Sequence, residues 1–214
     1  MNVLVVGANG QIGSIFLEKI KSNTNFEATA MIRDHNQSKK FKDLGIPTLI
    51  ANLEWEVDEL EKIIGGFDAI IFTAGSGGST GSDKTLLIDL DGAVKMMEVA
   101  EKNNIHRFVM VSALGANSRK RWNDALRPYY VAKHYADVIL SQTNLEYTIV
   151  RPGRLLNEKG TGKVEVSSKL ERSSIPREDV ADVLIEVLNN QNTIRKSFDL
   201  VSGKKTISEA LQNI

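Results

Sequence analysis

Three glycines near the start of the chain, Gly7, Gly10 and Gly13, have a spacing that is typical of a phosphate-binding turn. They follow an apolar run at residues 2–6 and precede a pattern of helical period at residues 11–21. In such a unit the first glycine allows a tight turn, the second lets a pyrophosphate approach the backbone, and the third permits close packing of helix on strand. The helix N-terminus then offers free N–H groups to the phosphates. An ordinary glycine-rich turn is the alternative, but the position between strand and helix favours nucleotide binding.

The end of the second predicted strand, at residues 26–32, indicates which dinucleotide this turn would bind. Arg33 follows the strand directly, and its planar guanidinium suits the 2′-phosphate of NADP. Asp34 comes next and is the competing candidate, because an acidic side chain at this place usually binds the ribose 2′-hydroxyl of NAD. The order of the two residues favours NADP over NAD.

The composition excludes several other kinds of chemistry. The chain has no cysteine, which rules out disulfides, thiolate nucleophiles, iron–sulfur clusters and thiolate zinc sites. Its three histidines are scattered, so the sequence predicts no metal site. Lys and Arg together number 27, as do Asp and Glu, so the zero net charge gives no reason to expect nucleic acid or a membrane surface as a partner. We expect a cytoplasmic protein with a small-molecule substrate; the sequence leaves a homodimer open.

Apolar runs alternate with patterns of helical period along the chain. Strand patterns lie at residues 2–6, 26–32, 47–51, 67–73, 107–112, 147–150 and 197–201. Helical patterns lie at residues 11–21, 36–44, 54–64, 83–104, 128 to about 143, and 178–188. The remaining long stretches are a Gly/Ser-rich loop at 75–82, a polar loop at 113–126, and an irregular region at 160–174 that includes a short strand at 163–166.

This alternation predicts the fold class. Strands such as residues 69–72 and 108–111 are apolar throughout, which indicates burial on both faces. We therefore predict an α/β fold: a Rossmann-type, doubly wound parallel sheet of six to seven strands in the order 3-2-1-4-5-6, with helices on both faces. The length of 214 residues predicts one NAD(P)-binding domain over residues 1–214.

Beyond the glycine turn, several segments resemble the short-chain dehydrogenase/reductase superfamily, and more narrowly its atypical NAD(P)H-binding branch. That branch contains NmrA-like redox sensors, biliverdin-IXβ/flavin reductases, and bacterial proteins that are epimerase-like or oxidoreductases. The resemblance implies the fold and the cofactor class, but not the substrate. The matching segments are residues 7–13, 31–34, 72–75, 109–113, 129–133, 151–153 and 177–181.

The resemblance also implies a catalytic set of Ser, Tyr and Lys. Tyr129 and Lys133 match the YxxxK motif and stand four residues apart, so they share a helix face. Tyr129 would pass a proton to or from the substrate oxygen, and the Lys133 cation would lower the pKa of Tyr129 and hold the nicotinamide ribose. Ser112, at the end of the fifth strand, would hydrogen-bond the same oxygen. Tyr130 is the rival for the tyrosine, but His134, not a lysine, stands four residues after it.

The same resemblance extends the expected cofactor site beyond the turn. Two residues depart from the superfamily pattern: Asn52 replaces a common Asp that contacts adenine, and Asp89 stands where extended members often have Asn. The segment that would cover the substrate, residues 153–176, is also short. The expected cofactor-binding residues are Gly7, Asn9, Gly10, Gln11, Ile12, Gly13, Arg33, Asn52, Leu53, Thr73, Ala74, Gly75, Lys133 and Pro152.

These expectations combine into an NADP-dependent oxidoreductase that transfers a hydride between nicotinamide and a small carbonyl or alcohol. A non-catalytic NADP(H) sensor and a nucleotide-sugar epimerase-like enzyme are the alternatives; the Ser112, Tyr129 and Lys133 set favours an enzyme, because a sensor does not require it. The basic run at residues 119–122 would either clamp an anionic substrate or form a solvated loop, of which the second is favoured.

Overall fold

A nine-stranded sheet forms the centre of the computed structural model, which describes residues 1–78, 80–212 and 214. Ser79, within the predicted loop at 75–82, and Asn213 lie outside the described residues. The strands are β1 (Asn2–Val6), β2 (Glu27–Ile32), β3 (Thr48–Ile50), β4 (Ala69–Phe72), β5 (Arg107–Val111), β6 (Glu146–Pro152), β7 (Arg154–Leu156), β8 (Lys163–Ser167), β9 (Ser174–Pro176), β10 (Lys196–Ser202) and β11 (Lys205–Thr206).

The sheet confirms the predicted fold class and strand order but has more strands than predicted. Its order is β3-β2-β1-β4-β5-β6-β10-β8-β11, in which the strands from β3 to β10 are parallel. The predicted six to seven strands are therefore too few, because β8 and β11 extend the edge in antiparallel orientation. The sequence predicted β8 as a short strand at residues 163–166 but did not count it in the sheet, and two-residue β11 lacks the apolar run that reveals a buried strand. A separate parallel pair, β7 and β9, was also not predicted.

Helices cover both faces of the sheet. They are α1 (Gln11–Ile20), α2 (Ser38–Asp43), α3 (Val57–Ile63), α4 (Ser82–Lys84), α5 (Gly92–Lys102), α6 (Arg127–Gln142), α7 (Arg177–Asn189) and α8 (Ile207–Leu211). The predicted helix at 83–104 is divided, since a π-helical segment, Thr85–Asp91, joins α4 to α5. Such wide turns are rare and often lie at functional sites. No helix in the described parts of the chain has the length and apolar character to cross a membrane.

The alternation of side chains along β1 separates two apolar cores. Val3 and Val5 pack on one face with residues of α1 and α7, such as Phe16, while Leu4 and Val6 pack on the other face with residues of α5 and α6. These four apolar side chains of β1 are at most 1% exposed. Burying each one contributes about 1.5–3 kcal/mol relative to exposure. The sheet is therefore packed on both faces, and its buried strands lead into the loops at their carboxyl ends.

The chain reverses direction across the sheet between β1 and β4. From β1 it proceeds outward to β2 and β3, then crosses back to β4 on the other side of β1. In doubly wound sheets, ligands bind in the crevice at this switch point, beyond the carboxyl ends of the strands. The loops after β1 and β4 therefore define the place of the candidate site.

Candidate active site

The glycine turn after β1 depends on Gly7 and Gly13 for its shape. Gly7 has a φ of +84°, in the left-handed region that favours glycine. A Cβ on Gly7 would lie 2.5 Å from the backbone nitrogen of Ala74. A Cβ on Gly13 would collide with the carbonyl oxygen of Gly7. The turn therefore packs tightly against the loop after β4, and Gly13 has the packing role expected from the sequence.

Gly10 leaves the N-terminus of α1 open. Its backbone is extended, with a φ of −70°, and no side chain caps the helix. The first N–H groups of a helix have no partner within the helix, so those of Gln11 and Ile12 are available to an anion. An uncapped helix N-terminus after a glycine suits the pyrophosphate of a dinucleotide, which needs close approach to backbone N–H groups.

A groove of about 380 Å³ extends from the glycine turn past the ends of β2 and β3. We call it the first groove. Glu54 and Lys84 both line it and form an ion pair, in which Lys84 Nζ lies 2.8 Å from both carboxylate oxygens of Glu54. The expected cofactor residues that line the first groove are Gly7, Asn9, Gly10, Arg33, Asn52, Leu53, Thr73, Ala74 and Gly75.

Arg33 and Asp34 have different surroundings at the end of β2. Arg33 lines the first groove beside Gln37, whose side-chain oxygen accepts the N–H of Arg33 at 3.3 Å. Asp34 caps the short 3₁₀ turn that follows, and its carboxylate accepts the N–H of Asn36 at 2.8 Å. Arg33 thus lines the first groove and Asp34 does not, and the Asp34 carboxylate stabilises the local turn.

A second cavity, of about 570 Å³, adjoins the first groove and shares Gly10 and the loop after β4 with it. We call it the second cleft. Ser112 at the end of β5 and Tyr129 and Lys133 on α6 all line it. Gln11 and Ile12 line it as well. The three residues of the expected catalytic set therefore meet in one cavity beside the glycine turn.

Lys133 is held by an anion and two carbonyl groups. Its Nζ lies 3.2 Å from Oδ1 of Asp89, 3.2 Å from the carbonyl oxygen of Val111 and 3.5 Å from that of Ala74. Burial alone would lower the pKa of Lys133, but the charge of Asp89 and the hydrogen bond between the two side chains act in the opposite direction, and the pKa is raised. Lys133 is therefore a permanent cation in the wall of the second cleft.

The same surroundings act on Tyr129, although the outcome differs from the expectation. Lys133 Nζ lies 5.9 Å from the centre of the Tyr129 ring and lowers the pKa of the hydroxyl, as expected. Burial and the charge of Asp89 act more strongly in the opposite direction, so the pKa of Tyr129 is raised above its usual 10.0. Tyr129 therefore holds its proton at neutral pH.

A second buried ion pair lies behind Ser112. Arg151 Nε donates to Asp137 Oδ2 at 2.7 Å, and both side chains are at most 7% exposed. Burial raises the pKa of Asp137, whereas Arg151 and the nearby Ser112 hydroxyl lower it. Within the described residues, Ser112 Oγ makes no hydrogen bond of normal geometry. Buried hydroxyls normally have a partner; Ser112 lines the second cleft with its Oγ buried beside the Asp137 carboxylate.

Two expected cofactor residues and one candidate clamp lie outside both cavities. Gly13 packs under the turn, and Pro152 is buried at the end of β6, where its carbonyl accepts the N–H of Leu114 at 2.9 Å. In the basic run, Arg121 binds Asp199 at 3.2 Å and Arg119 donates to the hydroxyl of Tyr135 at 3.1 Å. These arginines tie the loop after β5 to neighbouring strands and helices and do not line the second cleft.

Several residues that line the cavities were not anticipated. Topology brings them there from segments that are distant in sequence, so no local pattern identifies them. Arg177 stands in one of the matching segments and Asp89 was noted only as a departure, yet neither was assigned a role. The additional residues include Gln37, Glu54, Lys84 and Ile88 in the first groove, and Thr85, Asp89, Leu126, Leu155 and Arg177 in the second cleft.

Comparison with known proteins agrees with this arrangement. The profile of the NAD(P)H-binding family matches residues 7–191. The uncharacterized sugar epimerase YhfK of Bacillus subtilis is 50% identical over 214 residues, which are the whole of both chains.

Two solved structures are similar over the whole of this chain. One, from Bacillus halodurans, is described as an NAD-dependent epimerase/dehydratase; it has 42% identity and a TM-score of 0.94, with 100% of both chains covered. The other, the oxidoreductase ylbE from Lactococcus lactis, has 34% identity and a TM-score of 0.88, with 96% of that chain covered. The chain therefore belongs to the NAD(P)H-binding family, as the glycine turn and the matching segments indicated.

Proposed function

We propose that the protein is an NADP-dependent oxidoreductase that transfers a hydride between nicotinamide and a small carbonyl or alcohol substrate. The observation that carries this proposal is that Ser112, Tyr129 and Lys133 line one cleft, and that this cleft opens directly onto the glycine turn. A protein that only binds the cofactor needs the turn and the first groove alone. A proton donor beside them is needed only for a reaction.

The residues of the two cavities suit a bound dinucleotide. When bound, the nicotinamide would supply or accept the hydride. The open N-terminus of α1 would hold the pyrophosphate, and Gly10 would allow its approach. Lys133 would present its cation to the ribose on the nicotinamide side, close to the wall that Gly75 and Ala74 form.

Tyr129 moves the proton in this proposal. Tyr129 is protonated at neutral pH, as an ordinary tyrosine is, and its raised pKa keeps it so; it can donate to the oxygen of a carbonyl substrate as that oxygen becomes an alcohol. Ser112, whose hydroxyl is not engaged by a protein group of normal geometry, would orient the same oxygen. Lys133 remains charged throughout and stabilises negative charge on the tyrosine after the proton has left.

The preference for NADP over NAD rests on Arg33. Arg33 lines the first groove, whereas Asp34 does not line it and caps the following 3₁₀ turn. A guanidinium is well suited to a phosphate because it donates several N–H groups in one plane.

A second candidate function is epimerisation through transient oxidation of a sugar, which the description of the Bacillus subtilis relative favours. The same acid–base residue would serve both reactions. They differ in the fate of the cofactor, because an epimerase restores its cofactor in every cycle and a reductase consumes it.

The experiment that separates the candidates is a screen of NADPH oxidation, followed by absorbance, with aldehydes, ketones, quinones, flavins and nucleotide sugars. Consumption of NADPH in proportion to product supports the oxidoreductase. Conversion of a nucleotide sugar incubated with NADP⁺ or NAD⁺ in place of NADPH, without net change in the cofactor, supports the epimerase. Binding of NADPH without conversion of any of these compounds would instead favour a sensor and contradict the proposal.

A further inference from the structure

The charged side chains that line the second cleft carry a net positive charge. They are Asp89, Lys133 and Arg177. Asp89 and Lys133 form a buried ion pair at 3.2 Å and cancel one another. Arg177 is left as an uncompensated positive charge, because no carboxylate lies within ion-pair distance of it among residues 1–78, 80–212 and 214.

The acidic neighbours of Arg177 are engaged elsewhere. Glu178 lies 3.0 Å from Lys19 Nζ and accepts the N–H of Gly160 at 2.7 Å. Asp179, which is completely buried, accepts the N–H groups of the 161–162 turn at 3.1 and 2.8 Å. Both carboxylates therefore stabilise the segment before β8, and neither neutralises Arg177.

Arg177 is oriented by a neutral partner. Its NH1 nitrogen donates to Asn157 Oδ1 at 2.7 Å, which uses one of the five N–H groups of the guanidinium. Asn157 is exposed and Arg177 is half-buried, so the pair lies where the cleft meets solvent. Leu155 lines the cleft on the same side, and Leu126 and Pro128 also line it. The cleft thus combines apolar walls with one available cation at its mouth.

From this arrangement we infer that Arg177 forms an anion-binding subsite, and that the substrate carries a carboxylate or phosphate group remote from the carbon that reacts. The inference rests on the proposed function and adds a substrate class to it. A charged substrate would place its reacting oxygen at Tyr129 and its anionic group at Arg177. Paired donors of a guanidinium suit both carboxylate and phosphate.

The test uses three benzyl alcohols that differ only in the group opposite the reacting carbon. They are 4-(hydroxymethyl)benzoate, 4-(hydroxymethyl)phenyl phosphate and the uncharged 4-methoxybenzyl alcohol. Each is titrated by calorimetry into the protein with saturating NADPH, which cannot oxidise an alcohol, so binding is measured without turnover. We expect at least one anion to bind about tenfold or more tightly than the uncharged alcohol. Which anion does so identifies the class.

Three variants assign this difference to its residue. Arg177→Gln should remove most of the difference in affinity between the anionic and the uncharged alcohol. Arg177→Lys keeps the charge but not the paired donors, and should give a difference between those of the wild type and Arg177→Gln. Arg154→Gln is the matched control, because Arg154 is an exposed arginine on β7 that does not line the cleft. Thermal melting checks that each variant is folded. Arg154→Gln should leave the difference unchanged.

The inference is overturned if neither anion binds more tightly than the uncharged alcohol, or if Arg154→Gln and Arg177→Gln reduce the difference equally. It is also overturned if Arg177→Gln lowers the affinity for NADPH, since the arginine would then be part of the cofactor-binding site. A failure of wild-type protein to bind NADPH would instead contradict the proposed function. In that case the same titrations without NADPH still test the subsite.

Discussion

The ammonium group of Lys133 lies 3.2 Å from one carboxylate oxygen of Asp89, and the two side chains are 4% and 1% exposed. The other oxygen of Asp89 accepts the N–H of Ser76 at 2.9 Å. This one carboxylate therefore connects α6, which carries Lys133, to the loop that lines both cavities. A charge buried so completely depends on its partner, because an isolated charge in a protein interior is strongly unfavourable.

Replacing Lys133 alone should consequently lower the stability of the protein more than replacing Lys133 and Asp89 together. We expect Lys133→Met to lower the free energy of unfolding by about 3–5 kcal/mol, since it leaves the Asp89 carboxylate buried without its cation. Adding Asp89→Asn should recover part of this loss, because the amide is neutral and its oxygen still accepts the N–H of Ser76. Urea denaturation of the single and double variants measures both values. A double variant that is no more stable than Lys133→Met would contradict this account of the pair.

Arg33 should determine the choice of cofactor. Arg33→Ala removes the guanidinium and should lower the affinity for NADP by roughly 10- to 150-fold. This corresponds to the loss of a charge-assisted interaction of about 1.5–3 kcal/mol. The affinity for NAD should not change. Titration of both cofactors against both proteins, followed by fluorescence, measures the change. Equal losses for NADP and NAD, or no loss for either, would show that Arg33 does not contact the 2′-phosphate.

Two glycines of the same turn should respond differently to substitution. Gly10 has a φ of −70°, and a Cβ there would meet only the carbonyl oxygen of Gly7, at 3.1 Å. We expect Gly10→Val to fold but to lose dinucleotide binding, because the side chain would occupy the place of the pyrophosphate. Gly7→Ala should instead destabilise the protein, given its φ of +84° and the collision with Ala74.

Melting temperature and NADPH affinity, measured together on both variants, separate the two effects. If folded Gly10→Val retained normal affinity, the phosphates would have to bind elsewhere. If Gly7→Ala were as stable as the wild type, the strain assigned to this turn would be wrong.

The fold was largely predictable because its main determinants are local. Continuous apolar runs mark the buried parallel strands, and the glycine turn marks the first crossover. Two-residue β11 carries no such pattern, and neither does the π-helical segment that interrupts the predicted helix at 83–104. Both depend on contacts with other parts of the chain, which local sequence does not record.

The site was predictable only in part, for a related reason. Ser112, Tyr129 and Lys133 stand in recognisable segments, and the structure brings them into one cleft. The raised pKa of Tyr129 was not foreseen, because it depends on burial and on Asp89 as well as on Lys133. The available charge of Arg177 depends on where Glu178 and Asp179 point, which no spacing in the sequence reveals.

The central claim is that the Tyr129 hydroxyl transfers the proton, and Tyr130 provides a matched control. Tyr130 follows Tyr129 directly, but its ring stacks on Trp122 at 6.2 Å and does not line the second cleft. Each residue can be changed to Phe, which removes a single oxygen atom. A direct measurement compares kcat and NADPH affinity of both variants, with the best carbonyl substrate from the NADPH screen. We predict that Tyr129→Phe lowers kcat by about 10²- to 10⁴-fold with little change in NADPH affinity, and that Tyr130→Phe changes neither. Undiminished turnover in folded Tyr129→Phe would contradict the account.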